Sequence, residues 1–131
     1  MTDRPSAMPD PRLLRVLVVD DHVDSAESLA LLLTLEGFEA ACAHDGPVAL
    51  SMFESQRPHA VLLDLHLPAM DGLEVARCIR ALPGGSDVLL VALSGRTRDT
   101  DRKAALAAGF DAYLPKPAEP AAIVRLLERL R

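Results

Sequence analysis

Five times along the chain a short apolar run is followed by a stretch whose apolar residues recur with helical period, at roughly 25 residues per unit. Such alternation is the pattern of a parallel sheet wrapped by helices, and it places the chain in the α/β class. The expected strands are Arg15 to Val19, Glu39 to Ala43, Ala60 to Leu63, Val88 to Leu93 and Ala112 to Leu114. The first, third and fourth are almost wholly apolar, as strands covered on both faces require, so these three are expected at the centre. The expected helices are Ser25 to Glu36, Pro47 to Gln56, Leu73 to Leu82, Asp99 to Ala108 and Pro120 to Leu130. Ala26, Leu29, Ala30 and Leu33 make one buried stripe, and Ile123, Val124, Leu127 and Leu130 another. Pro47 suits a first helical turn, while Gly37 and Gly109 suit left-handed helix ends after which Phe38 and Phe110 fold back.

With 131 residues, 50% of them hydrophobic and 25% charged, the chain can bury one real core and has little room for a second. Residues 1–12, with Pro5, Pro9 and Pro11 among small and charged neighbours, read as a flexible leader, and the folded unit is expected over 13–131. A net charge of -5, with the 14 basic residues scattered, argues against a nucleic-acid surface and for a protein or small-anion partner. Cys42 and Cys78 have no metal-ligand spacing and read as buried fillers in a reducing compartment. No apolar stretch reaches membrane-spanning length and the first residues lack a signal-peptide core, so the expected location is the cytoplasm, with no membrane contact.

In an open parallel sheet, chemistry gathers just beyond the carboxyl ends of the strands. There the first strand delivers Asp20 and Asp21, the third Asp64, the fourth Ser94 and Gly95, and the fifth Lys116. Any one of these alone reads as a loop carboxylate, a helix cap or a surface lysine; their recurrence at four strand ends reads as one site. Lys116 is one of only two lysines, and it stands between Pro115 and Pro117. Three convergent carboxylates repel one another unless a cation joins them, and an oxygen-only donor set favours Mg2+ over zinc. A carboxylate beside Mg2+ can attack a phosphoryl group, with an ammonium and a hydroxyl taking its oxygens, which makes an aspartyl phosphate the expected product. Other signals read as structural. His22, His44, His59 and His66 lack metal-ligand spacing, Asp71 reads as a helix cap, and Gly84-Gly85 matches no phosphate-binding loop.

The pattern Val18-Val19-Asp20-Asp21, Asp64-Leu65-His66-Leu67-Pro68-Ala69-Met70-Asp71-Gly72, Leu93-Ser94-Gly95 and Lys116-Pro117 resembles the receiver domain of two-component response regulators, over about Leu13 to Arg131. The resemblance implies a flavodoxin-like, doubly wound, five-stranded sheet in the order 2-1-3-4-5, an order already known for receivers. It further implies that Asp64 is the phosphoacceptor, that Asp21 and Asp64 bind Mg2+ directly and Asp20 through water, and that His66 contributes its backbone carbonyl. Ser94 would hydrogen-bond the phosphoryl group, Lys116 would pair with it, the peptide before Pro117 would be cis, and Tyr113 would be the aromatic switch. Side chains two positions beyond the acceptor and the hydroxyl, His66 and Arg96, would govern phosphate lifetime.

The implied function is a phosphorylation-dependent switch and not an enzyme, taking phosphate from a histidine kinase or histidine phosphotransfer protein and acting on a downstream protein target. The alternatives are the receiver portion of a hybrid histidine kinase, a small aspartyl-phosphate phosphohydrolase, or a degenerate receiver acting as a scaffold. The chain ends where its fifth helix ends, so the output is expected in another molecule.

Overall fold

Alternate residues of the apolar strands face opposite sides of one sheet, and both sides are covered. The computed structural model describes residues 13–95 and 99–131; the expected leader and Arg96 lie outside them. Within the described residues the elements follow in the order β1 (Arg15–Val19), α1 (Val23–Leu35), β2 (Glu39–Ala43), α2 (Gly46–Gln56), β3 (Ala60–Asp64), α3 (Gly72–Ala81), β4 (Leu89–Ser94), α4 (Asp99–Ala108), β5 (Ala112–Pro115) and α5 (Pro120–Glu128). All strand pairs are parallel, in the order β2-β1-β3-β4-β5. The three almost wholly apolar strands are the central ones, as expected, and β2 and β5 form the half-exposed edges.

Leu17, Val19, Val61, Leu63, Leu90 and Ala92 pack on one side with residues of α2, α3 and α4, among them Phe53, Val75, Ile79, Ala105 and Ala108. Val16, Val18, Ala60, Leu62, Val91 and Leu93 pack on the other with Ala26, Leu33, Ile123 and Leu127 of α1 and α5. The helix-to-strand connectors behave as expected: Gly37 and Gly109 have φ of 97° and 109°. At each of them a side chain would be strained, and the following phenylalanine turns inward to donate its N–H to Leu33 or Ala105.

Several boundaries differ from the sequence expectation, for local reasons. Helix α1 starts at Val23 and not at Ser25, because extended His22 acts as its N-cap and accepts the Ala26 N–H at 3.0 Å. Helix α5 ends at Glu128 and not at Leu130, because the N–H groups of Arg129 and Leu130 bond three residues back, tightening the last turn. β3, β4 and β5 each run one residue further, pairing Asp64 with Leu93 and Ser94 with Pro115. The expected reactive residues Asp64 and Ser94 are therefore the last rungs of the sheet ladder, held by strand geometry and not by a loop. Among the described residues no helix is long and apolar enough to cross a membrane.

Candidate functional site

Asp20, Asp64 and Ser94 are the buried polar or charged residues among those described, and they lie at the carboxyl ends of adjacent strands. The two aspartates are held alike. Asp20 Oδ1 accepts the His22 N–H and Asp64 Oδ1 accepts the His66 N–H, each at 2.9 Å. Their second oxygens share one cation: Lys116 Nζ lies 3.0 Å from Asp64 Oδ2 and 3.4 Å from Asp20 Oδ2. Burial by itself would lower the Lys116 pKa, but the hydrogen bond and charge of Asp64, then those of Asp20, outweigh it and hold the pKa above its ordinary value.

Exposed Asp21 completes the cluster, since one oxygen each of Asp20, Asp21 and Asp64 lie within 4.8 Å of one another. Three carboxylates against one ammonium leave the cluster short of positive charge. With oxygen donors only, and with Asp21 open to solvent, it suits a hard divalent cation such as Mg2+. Close backbone packing shapes the site: a Cβ on Gly72 would stand 2.8 Å from the Asp64 carbonyl oxygen and 2.7 Å from Leu65 Cα. Gly72 thus lets the start of α3 lie against the end of β3, while Asp71 caps that helix by accepting the Leu73 N–H at 2.9 Å.

A cavity of about 600 Å3 opens beside the cluster, lined by residues that include Asp21, His66, Ser94 and Asp101. The His66 ring crosses towards Ser94, with Nε2 3.5 Å from Oγ. The Lys116 N–H donates to the Ser94 carbonyl at 2.8 Å, and the Lys116-Pro117 peptide is cis. Tyr113 is buried on β5 opposite Ala92. The predicted site residues that are described therefore gather at one rim of the sheet, with Tyr113 two residues before the end of β5, while Arg96 lies outside the described residues. Of the other histidines, His44 sets Nδ1 3.0 Å from the Asp20 carbonyl oxygen, and His59 lies near the opposite rim against the Arg15 N–H.

Sequence reasoning passed over Asp101 and Arg102 on α4. Among the described residues Asp101 Oδ2 is buried without a hydrogen-bond partner at the cavity wall, and the Arg102 guanidinium lies 5.1 Å from the Tyr113 ring centroid. The signal available was slight: two charged residues soon after Ser94, on a helix with no local pattern to say which of its faces meets the cavity or β5.

This fold, with its carboxylates, hydroxyl and lysine at one rim, is that of a receiver module of the two-component type. The family model of the response regulator receiver domain matches residues 16–128, and the chain belongs to that family. It is 44% identical over 118 residues to the response regulator MprA of Mycobacterium avium (strain 104), an alignment covering 90% of this chain and 50% of that protein. The MprA of Mycobacterium tuberculosis (strain ATCC 25618 / H37Rv) is equally similar, at 44% identity over 90% of this chain and 49% of its own length. The chain thus spans about half the length of these curated relatives.

Among solved structures, a CheY-like receiver domain protein from Methanospirillum hungatei JF-1 superposes with a TM-score of 0.82 at 28% identity, covering 89% of this chain and 92% of that one. The receiver domain of the sensor histidine kinase PA1611 from Pseudomonas aeruginosa PAO1 does so with a TM-score of 0.81 at 33% identity, covering 89% and 96%. That structure holds a magnesium ion in its active-site cleft.

Proposed function

We propose that this receiver is a phosphorylation-dependent signalling switch that accepts a phosphoryl group on Asp64. The observation that carries the reading is the hold on this one buried carboxylate: Oδ1 on the His66 N–H, Oδ2 on Lys116, and two further carboxylates beside it. The donor is a histidine kinase or a histidine phosphotransfer protein. A bond forms between an Asp64 carboxylate oxygen and phosphorus, the phosphorus–nitrogen bond of the donor phosphohistidine breaks, and its electron pair returns to the imidazole.

Asp21 and Asp64 would hold Mg2+ directly, Asp20 through water, and the His66 carbonyl would add a further oxygen. When bound, the ion neutralises charge on the incoming phosphoryl oxygens. Lys116 Nζ, 3.0 Å from Asp64 Oδ2, and the Ser94 hydroxyl would take the remaining oxygens, and Tyr113 would carry the change to the outer surface. His66, with its ring close to Ser94, shields the phosphoryl group from water.

We read residues 1–12 as a leader and 13–131 as the receiver, acting in the cytoplasm through protein contacts and without turnover of a substrate of its own. A hybrid histidine kinase is the second setting, favoured by the similarity to the PA1611 receiver. Incubation with phosphoramidate or acetyl phosphate and Mg2+ tests the reading. Intact mass should show one phosphoryl adduct that survives acid, is lost to hydroxylamine, and is absent from Asp64→Asn; an equal adduct on Asp64→Asn would overturn the assignment.

A further inference from the structure

Helix α4 is seated less firmly than its neighbours. The buried residues among its described side chains are Ala105 and Ala108, whereas α3 buries Val75 and Ile79 and α2 buries Phe53. Asp101 adds little to that hold, because among the described residues its buried Oδ2 has no hydrogen-bond partner where it lines the cavity shared with His66 and Ser94. The next residue makes a favourable contact. Arg102, exposed on α4, holds its guanidinium 5.1 Å from the centroid of Tyr113, a ring only 5% exposed on the adjacent strand β5. At that distance the face of an aromatic ring attracts a cation. Of two successive residues of one helix, Asp101 therefore lines the cavity beside the carboxylate cluster and Arg102 meets the buried tyrosine.

We propose that Arg102 is a positioning residue: it latches the Tyr113 ring in its buried place and makes helix α4 and the ring move together when Asp64 is phosphorylated. The coupled movement rests on the receiver function proposed above; the latch itself belongs to the unmodified chain. With two small side chains as its buried apolar anchors, α4 gains from this contact an added hold on β5, so loosening either partner loosens the other.

The chain provides its own probe, since it contains one tyrosine and no tryptophan. Acrylamide quenching of tyrosine fluorescence therefore reads the Tyr113 ring alone. Arg102 is exposed and helical, and glutamine and lysine are both good helix formers, so the variants should fold as the parent does. In Arg102→Gln the quenching constant should rise about two- to fivefold, the change expected for loss of an exposed cation–ring contact. In Arg102→Lys, which keeps a cation over the ring, the rise should be less than half as large. Quenching of Arg102→Gln equal to the parent's, or of Arg102→Lys equal to that of Arg102→Gln, would overturn the latch.

On protein shown by mass to carry the adduct, phosphorylation should alter quenching in the parent and at most half as much in Arg102→Gln; equal changes would overturn the coupled movement. A parent that takes up no phosphoryl group would refute the receiver function, and with it the coupled movement, while the measurements on unmodified protein still decide the latch.

Discussion

The two rims of the sheet are built in opposite ways. At the carboxyl rim, carboxylates crowd together: Asp20 and Asp64 share Lys116, and Asp21 adds a third negative group. At the amino rim, guanidinium groups reach neutral carbonyl oxygens. Arg15 donates to the carbonyls of Gln56 and Arg57, and Arg57 to that of Pro83. Arg80 donates to the carbonyls of Gly85, Val88 and Gly109 and to the Asp111 carboxylate, which also accepts the Leu90 N–H.

The architecture accounts for the division. Helices that run back along parallel strands leave their carbonyl-rich C-termini at the amino rim, where cations are favourable, and their N–H-rich starts at the carboxyl rim, where anions are favourable. One rim is satisfied within the chain and fastens it. The other is left short of positive charge and is suited to recruit it.

The largest effect that would break this contrast is at Arg80. Arg80→Ala should lower unfolding free energy by about 2–4 kcal/mol, because several carbonyls and Asp111 lose a charged donor together. Urea denaturation would measure it, and phosphoryl uptake at room temperature should be unchanged. Arg80→Lys should recover little, since one ammonium cannot replace a planar fork directed at separate acceptors.

Removing a charge from the carboxyl rim should act in the opposite sense. Asp21→Ala should weaken Mg2+ binding about tenfold or more by titration calorimetry, and more than Asp20→Ala does, because Asp21 is the proposed direct ligand. Without metal, the same change should raise stability by about 0.5 kcal/mol as repulsion in the cluster is relieved. Metal-free Asp21→Ala less stable than the parent would count against the crowding described here.

The smallest effect concerns pH at the amino rim. Burial, then the nearby charge of Arg15, lowers the His59 pKa below its ordinary 6.5. The unfolded chain therefore takes up a proton at this residue before the folded one does. Stability from this source is complete above 6.5, falls as pH drops below it, and levels off below the folded pKa. His59→Gln should flatten that part of the stability profile, measured by urea titrations between neutral and mildly acidic pH.

Much of the carboxylate-bearing rim is legible in the sequence because the rule that locates it is local: a polar residue at the end of an apolar strand lies at the carboxyl edge of a parallel sheet. Asp20, Asp21, Asp64, Ser94 and Lys116 all follow it. The starts of α2 and α3 were legible for a similar reason, since Pro47 lies in the first turn of one and Asp71 caps the other. The start of α1 was not: Ser25 has the chemistry of a cap, but the extended backbone at His22, whose N–H bonds to Asp20, begins the helix earlier.

By itself the sequence determined the class of fold, the central strands, and which residues could carry phosphate chemistry, because apolar period and strand-end position are properties of short stretches of chain. Only the tertiary structure decided who meets whom. Lys116 reaches Asp20 across 96 positions, Arg80 reaches Gly109 across 29, and the cation of Arg102 settles over the Tyr113 ring. Such pairings depend on how helices of given length and tilt lie against the sheet, and no local pattern encodes that distance.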